Sequence, residues 1–394
     1  MGEDGEPRPA MILSAIIVNY GTAGYVEECA RSILEADLGS GPGGGIEVIV
    51  VDNFTSEEER ERLRHLDLPL RLVTLDDNRG YAGGLEAGLE LATSGKIAFL
   101  NPDIRFLPGA LETLCTYLDR APDVGVVTPR AWLDEERMLL HPPHRLPGFR
   151  EAGLSLLFGM GGVARRAVDR YRTAFALRYW ASTDPVDAEM LTGCCLLTRR
   201  SVLETVGPPD PAYPLYFEDS DWCRRVGQES YRLVWHPGAE LIHYYSVSAN
   251  QAMEEAMKRY ASSREVYLTR YYGRSGAWLL RRLLGFLDRR PREPERSGIA
   301  FTDLGRLDAP LALELPRGPG PRWLVEMAGI PTFDLSVGGL LPGPGFRIGP
   351  TTWKHMFPTR YFLRAVDPRT LRTEAAWTFE KERTEGTSPG SQGG

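Results

Sequence analysis

An α/β fold on a mostly parallel central sheet, followed by a basic helical extension and a small C-terminal all-β module, is predicted by three features of the 394-residue sequence. Short apolar runs recur at intervals that leave room for one helix between them, as strands buried on both faces do. Most of these runs stop at Asn or Asp beside Gly or Pro, which are turn residues. Beyond Ser297 the pattern changes to short β-like runs separated by Gly and Pro. The length suits two domains at ~100 to 200 residues each.

Taken in order, residues 11–19 (MILSAIIVN) form a strand and 26–34 recur with helical spacing. Residues 46–51 (IEVIVV) form a second buried strand ending at Asp52-Asn53. A charged helix over 56–66 follows, with Ser56 as N-cap and Glu59 completing a capping box. Residues 70–75 are a third strand, 85–92 a helix, and 96–100 (KIAFL) a strand closing on Asn101-Pro102-Asp103. A helix over 107–118 has Pro108 in its first turn. After a strand at 124–127, Pro142, Pro143 and Pro147 mark a loop, and the apolar, Gly-rich stretch 154–163 is followed by Arg165, Arg166 and Arg170. Strands are predicted at 189–198, 231–236 and 241–245, and helix over 251–287. Short β runs at 311–315, 323–327, 333–337, 361–366 and 375–379 follow a Pro/Arg/Glu linker. The division is a catalytic domain over 10–250, a basic helical extension and linker over 251–296, a β-rich module over 297–384 and a disordered tail over 385–394.

The 46 Lys plus Arg against 53 Asp plus Glu give a formal charge of −7, which argues against nucleic-acid binding over the whole surface. Residues 258–296 run the other way, with eleven basic against four acidic side chains. Five cysteines without CxxC spacing (Cys29, Cys115, Cys194, Cys195 and Cys223) read as a reducing, cytosolic compartment. The absence of a long apolar stretch and the acidic residues 1–9 lead to the same expectation: cytosol or the inner membrane face.

Open parallel sheets bind ligands at the carboxyl ends of their strands. Candidates are therefore Asp52, Asp77-Asn78, Asp103 and the acids of 218–221. Any one of them reads first as a cap or turn residue; four in succession point to a site. Asn78-Arg79-Gly80-Tyr81-Ala82-Gly83-Gly84 precedes a helix whose N-terminus favours negative charge, and its glycines let the backbone approach a diphosphate. The spacing departs from GxGxxG, which disfavours a dinucleotide site. Asp103 follows a buried strand, where a lone carboxylate holds Mg²⁺ or Mn²⁺ if a nucleoside diphosphate supplies most other ligands. His243 alone reads as a core histidine and, beside a metal, as a further ligand. Glu218, Asp219 and Asp221 repel one another unless a cation or substrate compensates. They also suit a helix N-terminus, itself a rigid mount for a general base.

In their order, IIVNY, VIVVDN, DDNRGYAGG, AFLNPDI, LTGCCLLTRR, YFEDSDWCRR and LIHYYSVS resemble the family 2 glycosyltransferases of GT-A type, in particular the rhamnosyltransferase and galactofuranosyltransferase branch. The resemblance runs over 12–272. It implies the GT-A (nucleotide-diphospho-sugar transferase) fold, with Asp52 reading the pyrimidine ring and Val18 and Tyr20 lining the base. Asn78, Gly80, Gly83 and Gly84 would form the nucleotide pocket. Asn101-Pro102-Asp103 stands where the family has its DXD motif, Asn101 replacing the first acid and Asp103 serving as principal metal ligand; His243 falls where some members place a metal-binding histidine. Asp219, second acid of the Glu-Asp pair, would be the general base, with Glu218, Asp221 and Trp222 contacting substrate. After the second strand, the family's usual Asn-Gly/Ser-Ser/Thr reads Asn53-Phe54-Thr55.

The implied activity is inverting, metal-dependent transfer of a sugar, with a dTDP- or UDP-linked deoxyhexose such as rhamnose as donor and a glycan or lipid-linked glycan as acceptor. A sugar-nucleotide pyrophosphorylase is a rival reading, but it would carry a basic residue in a Gly-rich loop near the N-terminus, and residues 19–24 have none. A carbohydrate-binding scaffold would not need Asp103 and Asp219. The basic apolar segments 154–163 and 278–287 (WLLRRLLGFL) suit either peripheral contact with an anionic membrane or packing against the catalytic domain or a second copy.

Overall fold

The computed structural model describes residues 11–39, 41, 44–244, 253–288, 297–316 and 322–382. They divide into two compact units. The first holds the described residues up to Arg130, Thr183–His243, and helical residues up to Tyr271; the second holds Ala131–Ser182, Tyr244 and the described residues from Tyr272 onward.

In the first unit, strands β1 (Leu13–Asn19), β2 (Ile46–Asp52), β3 (Leu70–Thr74) and β4 (Lys96–Leu100) are parallel, in the order β3-β2-β1-β4. All residues of β1 and β2 are buried, as predicted for strands covered on both faces. Helices α1 (Ala23–Leu34), α2 (Glu57–Arg64) and α3 (Gly80–Leu91) make the returns. The order reverses between β1 and β4, a topological switch point where a crevice opens beyond the strand ends.

Beyond β4 the sheet is antiparallel, so its parallel character is confined to one half. Strand β8 (Cys195–Arg199) pairs with β4 and β6 (Val124–Trp132) with β8, and β9 (Arg232–His243) pairs with both β5 (Ile104–Phe106) and β7 (Val186–Ala188). The strand predicted over 189–198 is regular only from Cys195. The two predicted at 231–236 and 241–245 are one twelve-residue strand, β9.

Local chemistry explains two further differences. Ser56 caps α2 as expected, accepting from the Glu59 amide at 3.4 Å, but the Glu59 carboxylate bonds the Ala23 amide at 2.9 Å. It thus serves the start of α1, where negative charge is favourable, instead of closing a capping box. Helix α4 (Ala110–Arg120) follows left-handed Gly109, so Pro108 lies before the helix and strand β5 fills the gap after Asp103. The remaining helices of this region are α7 (Arg200–Val206) and α8 (Glu218–Gln228), and α9 (Met253–Asp288) is interrupted at Gly273, φ 66°.

The second unit is not the separate all-β module expected from residue 297. Its five-stranded sheet runs β10 (Thr302–Leu307), β16 (Arg372–Lys381), β15 (Arg360–Asp367), β12 (Trp323–Ala328) and β13 (Val337–Leu341), beside a hairpin of β11 (Ala312–Glu314) and β14 (Gly345–Arg347). The sheet shares one core with Leu133 and Leu139, and Leu140 bridges to Gly338. Helices α5 (Phe149–Gly159), α6 (Gly162–Trp180) and α10 (Pro350–His355) complete the unit. Arg364 of β15, 1% exposed, donates to Glu326, Asp169 and Thr173 at 2.8–2.9 Å. The β strands needed apolar surface from 131–182 to be covered, which local runs could not reveal. Residues 385–394 and most of the predicted linker lie outside the described residues.

Candidate active site

Strand register sets the first cluster. Asn19 lies opposite Asp52, each the last residue of its strand. Asp52 is fully buried and accepts from Thr55 at 2.5 Å, from Arg60 at 3.0 Å and from Asn19 at 3.4 Å. Tyr20, one residue past β1, is 42% exposed. Next to Asp52, the Asn53 side chain organises the loop before α3, donating to Asn78 Oδ1 and the Gly80 carbonyl, both at 3.1 Å, and accepting from the Arg79 amide at 3.0 Å. Phe54, where the resembling family has a small residue, is left-handed (φ 62°) and half exposed.

Two glycines of the loop have packing reasons. Gly80 is at φ 71°, and a Cβ there would lie 2.6 Å from the Pro214 carbonyl oxygen; a Cβ on Gly84 would lie 2.6 Å from Val18 Cγ1. Val18, 4% exposed, therefore supports α3 from beneath, where lining the base was expected; Gly83 is buried on the same helix. Sequence reasoning missed Arg259 of α9, whose Nη1 donates to Asn78 Oδ1 at 3.3 Å. It is 181 positions away, and only the basic bias of its segment hinted at it.

The second cluster forms around residues 193 and 194. Strand β5 pairs Ile104 with His243, which brings the preceding Asp103 to the end of β9. Asp103 Oδ1 is 3.3 Å from His243 Nε2, both residues are buried, and Asn101 Nδ2 is 3.4 Å from the same nitrogen. Burial alone would lower the His243 pKa, but the Asp103 carboxylate and Cys194 carry it up to about 10. Asn101 is pinned by its amide to the Cys194 carbonyl at 3.0 Å. The adjacent Gly193 amide donates to Asp219 Oδ2 at 3.1 Å, and Tyr81 of α3 donates to the Gly193 carbonyl at 3.3 Å. One dipeptide thus holds Asn101, Asp219 and the helix of the glycine loop. The irregular backbone before β8, read from sequence as strand, is what makes this possible.

The acids of 218–221 occupy the first turn of α8, after Tyr216 and Phe217 at φ 64° and 68°. Two successive left-handed non-glycine residues store strain of the kind found at functional sites. Asp219 also accepts from Ser220, amide at 2.6 Å and hydroxyl at 3.3 Å. Its pKa is raised because burial outweighs these bonds. Glu218, 6% exposed, has an Oε2 without a hydrogen-bond partner among the described residues, and burial together with neighbouring Asp219 pushes its pKa up to about 8.

Asp221 and Trp222, expected to contact substrate, serve packing. Asp221 is fully buried and bonded by Arg225 at 2.7 Å, Tyr271 at 2.8 Å, and Arg270 and Tyr213 at 2.9 Å. Burial opposes its ionisation, yet these donors, Arg225 foremost, hold its pKa below the usual carboxylate range. Trp222 is fully buried, donates to the Gly207 carbonyl at 2.8 Å and meets Phe99 edge-on. A helix buries one face, and 221 and 222 fall on it.

Among the described residues no group of three or more His, Cys, Asp or Glu side chains could hold a metal. The Asp103 and His243 pair offers one hard oxygen and, once a cation displaces the His243 proton, one imidazole nitrogen, which fits a divalent cation whose other ligands come from substrate oxygens.

Residues 14–207 match the family model described as glycosyl transferase family 2. The chain is 24% identical over 280 residues to an N-acetylglucosaminyl-diphospho-decaprenol L-rhamnosyltransferase of Mycobacterium tuberculosis, covering 68% of this chain and 86% of that one. It is 25% identical over 260 residues to a low-salt glycan biosynthesis hexosyltransferase of Haloferax volcanii, covering 65% and 72%. A solved mannosyltransferase of Pyrobaculum calidifontis, in complex with GDP-Man and Mn²⁺, superposes with a TM-score of 0.44 at 18% identity over 75% of each chain.

Proposed function

From the premise that the chain carries a glycosyl transferase family 2 domain and is a glycosyltransferase, we propose that it moves a deoxyhexose such as rhamnose, with inversion, from a dTDP- or UDP-linked donor to a hydroxyl of a glycan or lipid-linked glycan, in cell-envelope polysaccharide assembly. The observation that carries the reading is the Gly193-Cys194 dipeptide, which ties Asp219 and Asn101 to adjacent residues beside the Asp103 and His243 pair.

Asp219 acts as general base. Its carboxylate takes the acceptor hydroxyl proton as that oxygen bonds to the anomeric carbon, while the bond from that carbon to the diphosphate oxygen breaks. The Gly193 and Ser220 amides fix its orientation, and the raised pKa brings its proton affinity closer to that needed near neutral pH. Asp103 and His243 would hold Mg²⁺ or Mn²⁺, which when bound neutralises charge on the departing diphosphate. Asp52, Asn78 and Arg259 belong to the nucleotide end, with Arg259 adding a cation beside the glycine loop.

A thermal-shift screen of nucleoside diphosphate sugars with and without Mn²⁺ tests this reading. A deoxyhexose donor should stabilise the protein more with Mn²⁺ than without, and Asp103→Ala should remove that metal-dependent increment. Equal shifts with and without metal for every donor would contradict the metal assignment; no shift with any donor would contradict the donor class.

A further inference from the structure

Helices α5 and α6 meet at Gly161-Gly162, φ 77° and 56°, in a turn that leaves Met160 and Val163 at 74% and 75% exposure. These are the most exposed large apolar side chains among the described residues, and Leu157, one turn earlier, is 46% exposed. Scattered apolar residues on a surface need no explanation, whereas a concentration does. These helices pack on one another locally. Arg172 of α6 donates to Ser155 of α5 at 3.1 Å, and Phe149 at the start of α5 meets Tyr272 of α9 edge-on at 5.3 Å. From Tyr272 onward α9 exposes Trp278 and Leu279.

The exposed charges on these helices have one sign. Arg166, Arg170, Arg274, Arg281 and Arg282 are exposed. The acids of α5 and α6 are Glu151 and Asp169; Glu151 pairs with Arg145 and Arg150, and Asp169 with Arg364. Residues 272–285 contain no acid.

We propose that the α5–α6 corner, with the neighbouring face of α9, docks on an anionic lipid bilayer. Met160, Val163 and Leu157 enter the acyl boundary and the arginines meet headgroup phosphates, the arrangement that anchors basic amphipathic helices at interfaces. Charge decides against a second copy of the chain: a two-fold pairing would set the arginines against themselves. The inference uses no residue of the active site and is independent of the donor and the reaction.

The test is cosedimentation of the full chain with sucrose-loaded vesicles of phosphatidylcholine alone or with phosphatidylglycerol, at low and high salt. Binding should require phosphatidylglycerol and fall with salt. The double variant Met160→Ser/Val163→Ser should bind at least about tenfold more weakly with an unchanged unfolding midpoint, since both positions are exposed. Arg166→Glu/Arg170→Glu should abolish the lipid preference. Failure to sediment with anionic vesicles at low salt, or equal binding by the serine variant, would overturn the proposal. So would concentration-dependent self-association in the absence of lipid that the serine variant abolishes, which would make a second copy the occupant.

Discussion

At the start of α8, Glu218 and Asp219 lie side by side in poor solvent contact. Their hydrogen bonds come from backbone amides and one hydroxyl, and both pKa values rise. On β15, the more deeply buried Arg364 is surrounded by Glu326, Asp169 and Thr173; burial alone would lower its pKa, but the two carboxylates raise it. The first region leaves charge under-compensated and the second pairs it, so the first can exchange a proton with a ligand while the second only holds strands and helix together. Asp221 shows how local the distinction is. Two residues from Asp219, and saturated by four donors, its pKa shifts the opposite way.

The largest expected effect is at the paired centre. Arg364→Met leaves Glu326 buried without its cation and should cost about 3–5 kcal/mol in chemical denaturation; a loss below about 1 kcal/mol would mean the cluster is not the closed ionic unit it resembles. Next, Asp221→Asn weakens charge-assisted bonds to Arg225 and Arg270 and should cost about 1.5–3 kcal/mol near neutral pH. Because the folded pKa of Asp221 lies below its unfolded value, that cost should shrink as pH falls through the folded pKa and the wild-type carboxylate protonates.

The third effect has the opposite sign. Burial and the neighbouring Asp219 carry the folded pKa of Glu218 up toward about 8, whereas the unfolded chain ionises above about 4.5, so its contribution to stability should fall as pH rises across that window, by at most about 1.4 kcal/mol per unit. Glu218→Gln should remove that slope without the loss seen at Arg364. A stability profile identical to wild type between pH 5 and 8 would show that Glu218 is already compensated.

Much of this was legible in the sequence. Strands β1 to β4 announced themselves because burial on both faces gives unbroken apolar runs, and the residues ending them fell where the candidate site lies. Asp103 was singled out by type and placement after a strand, and His243, 140 positions on, only as a further ligand beside a suspected metal; the short pairing of β5 with β9 brings them together. What stayed hidden was set by tertiary context. Asp221 and Asp219 look alike in sequence, and only the helix face separates a clamp from the proposed base. Gly193-Cys194 read as strand, since CCLLT is apolar and the irregular turn before it has no distinctive composition. The pairing of 131–182 with the C-terminal sheet could not be read from local runs, because Leu133, Leu139 and Phe379 share a core only through long-range packing.

The central claim is that Asp219 is the base of a glycosyl transfer. It is tested most directly by measuring donor binding and transfer on the same preparation of Asp219→Asn, with a nucleoside diphosphate deoxyhexose and Mn²⁺. Donor affinity should stay within a few-fold of wild type while transfer falls by about 10²–10⁴. Transfer within about tenfold of wild type would contradict the assignment, as that is less than a general base ordinarily supplies.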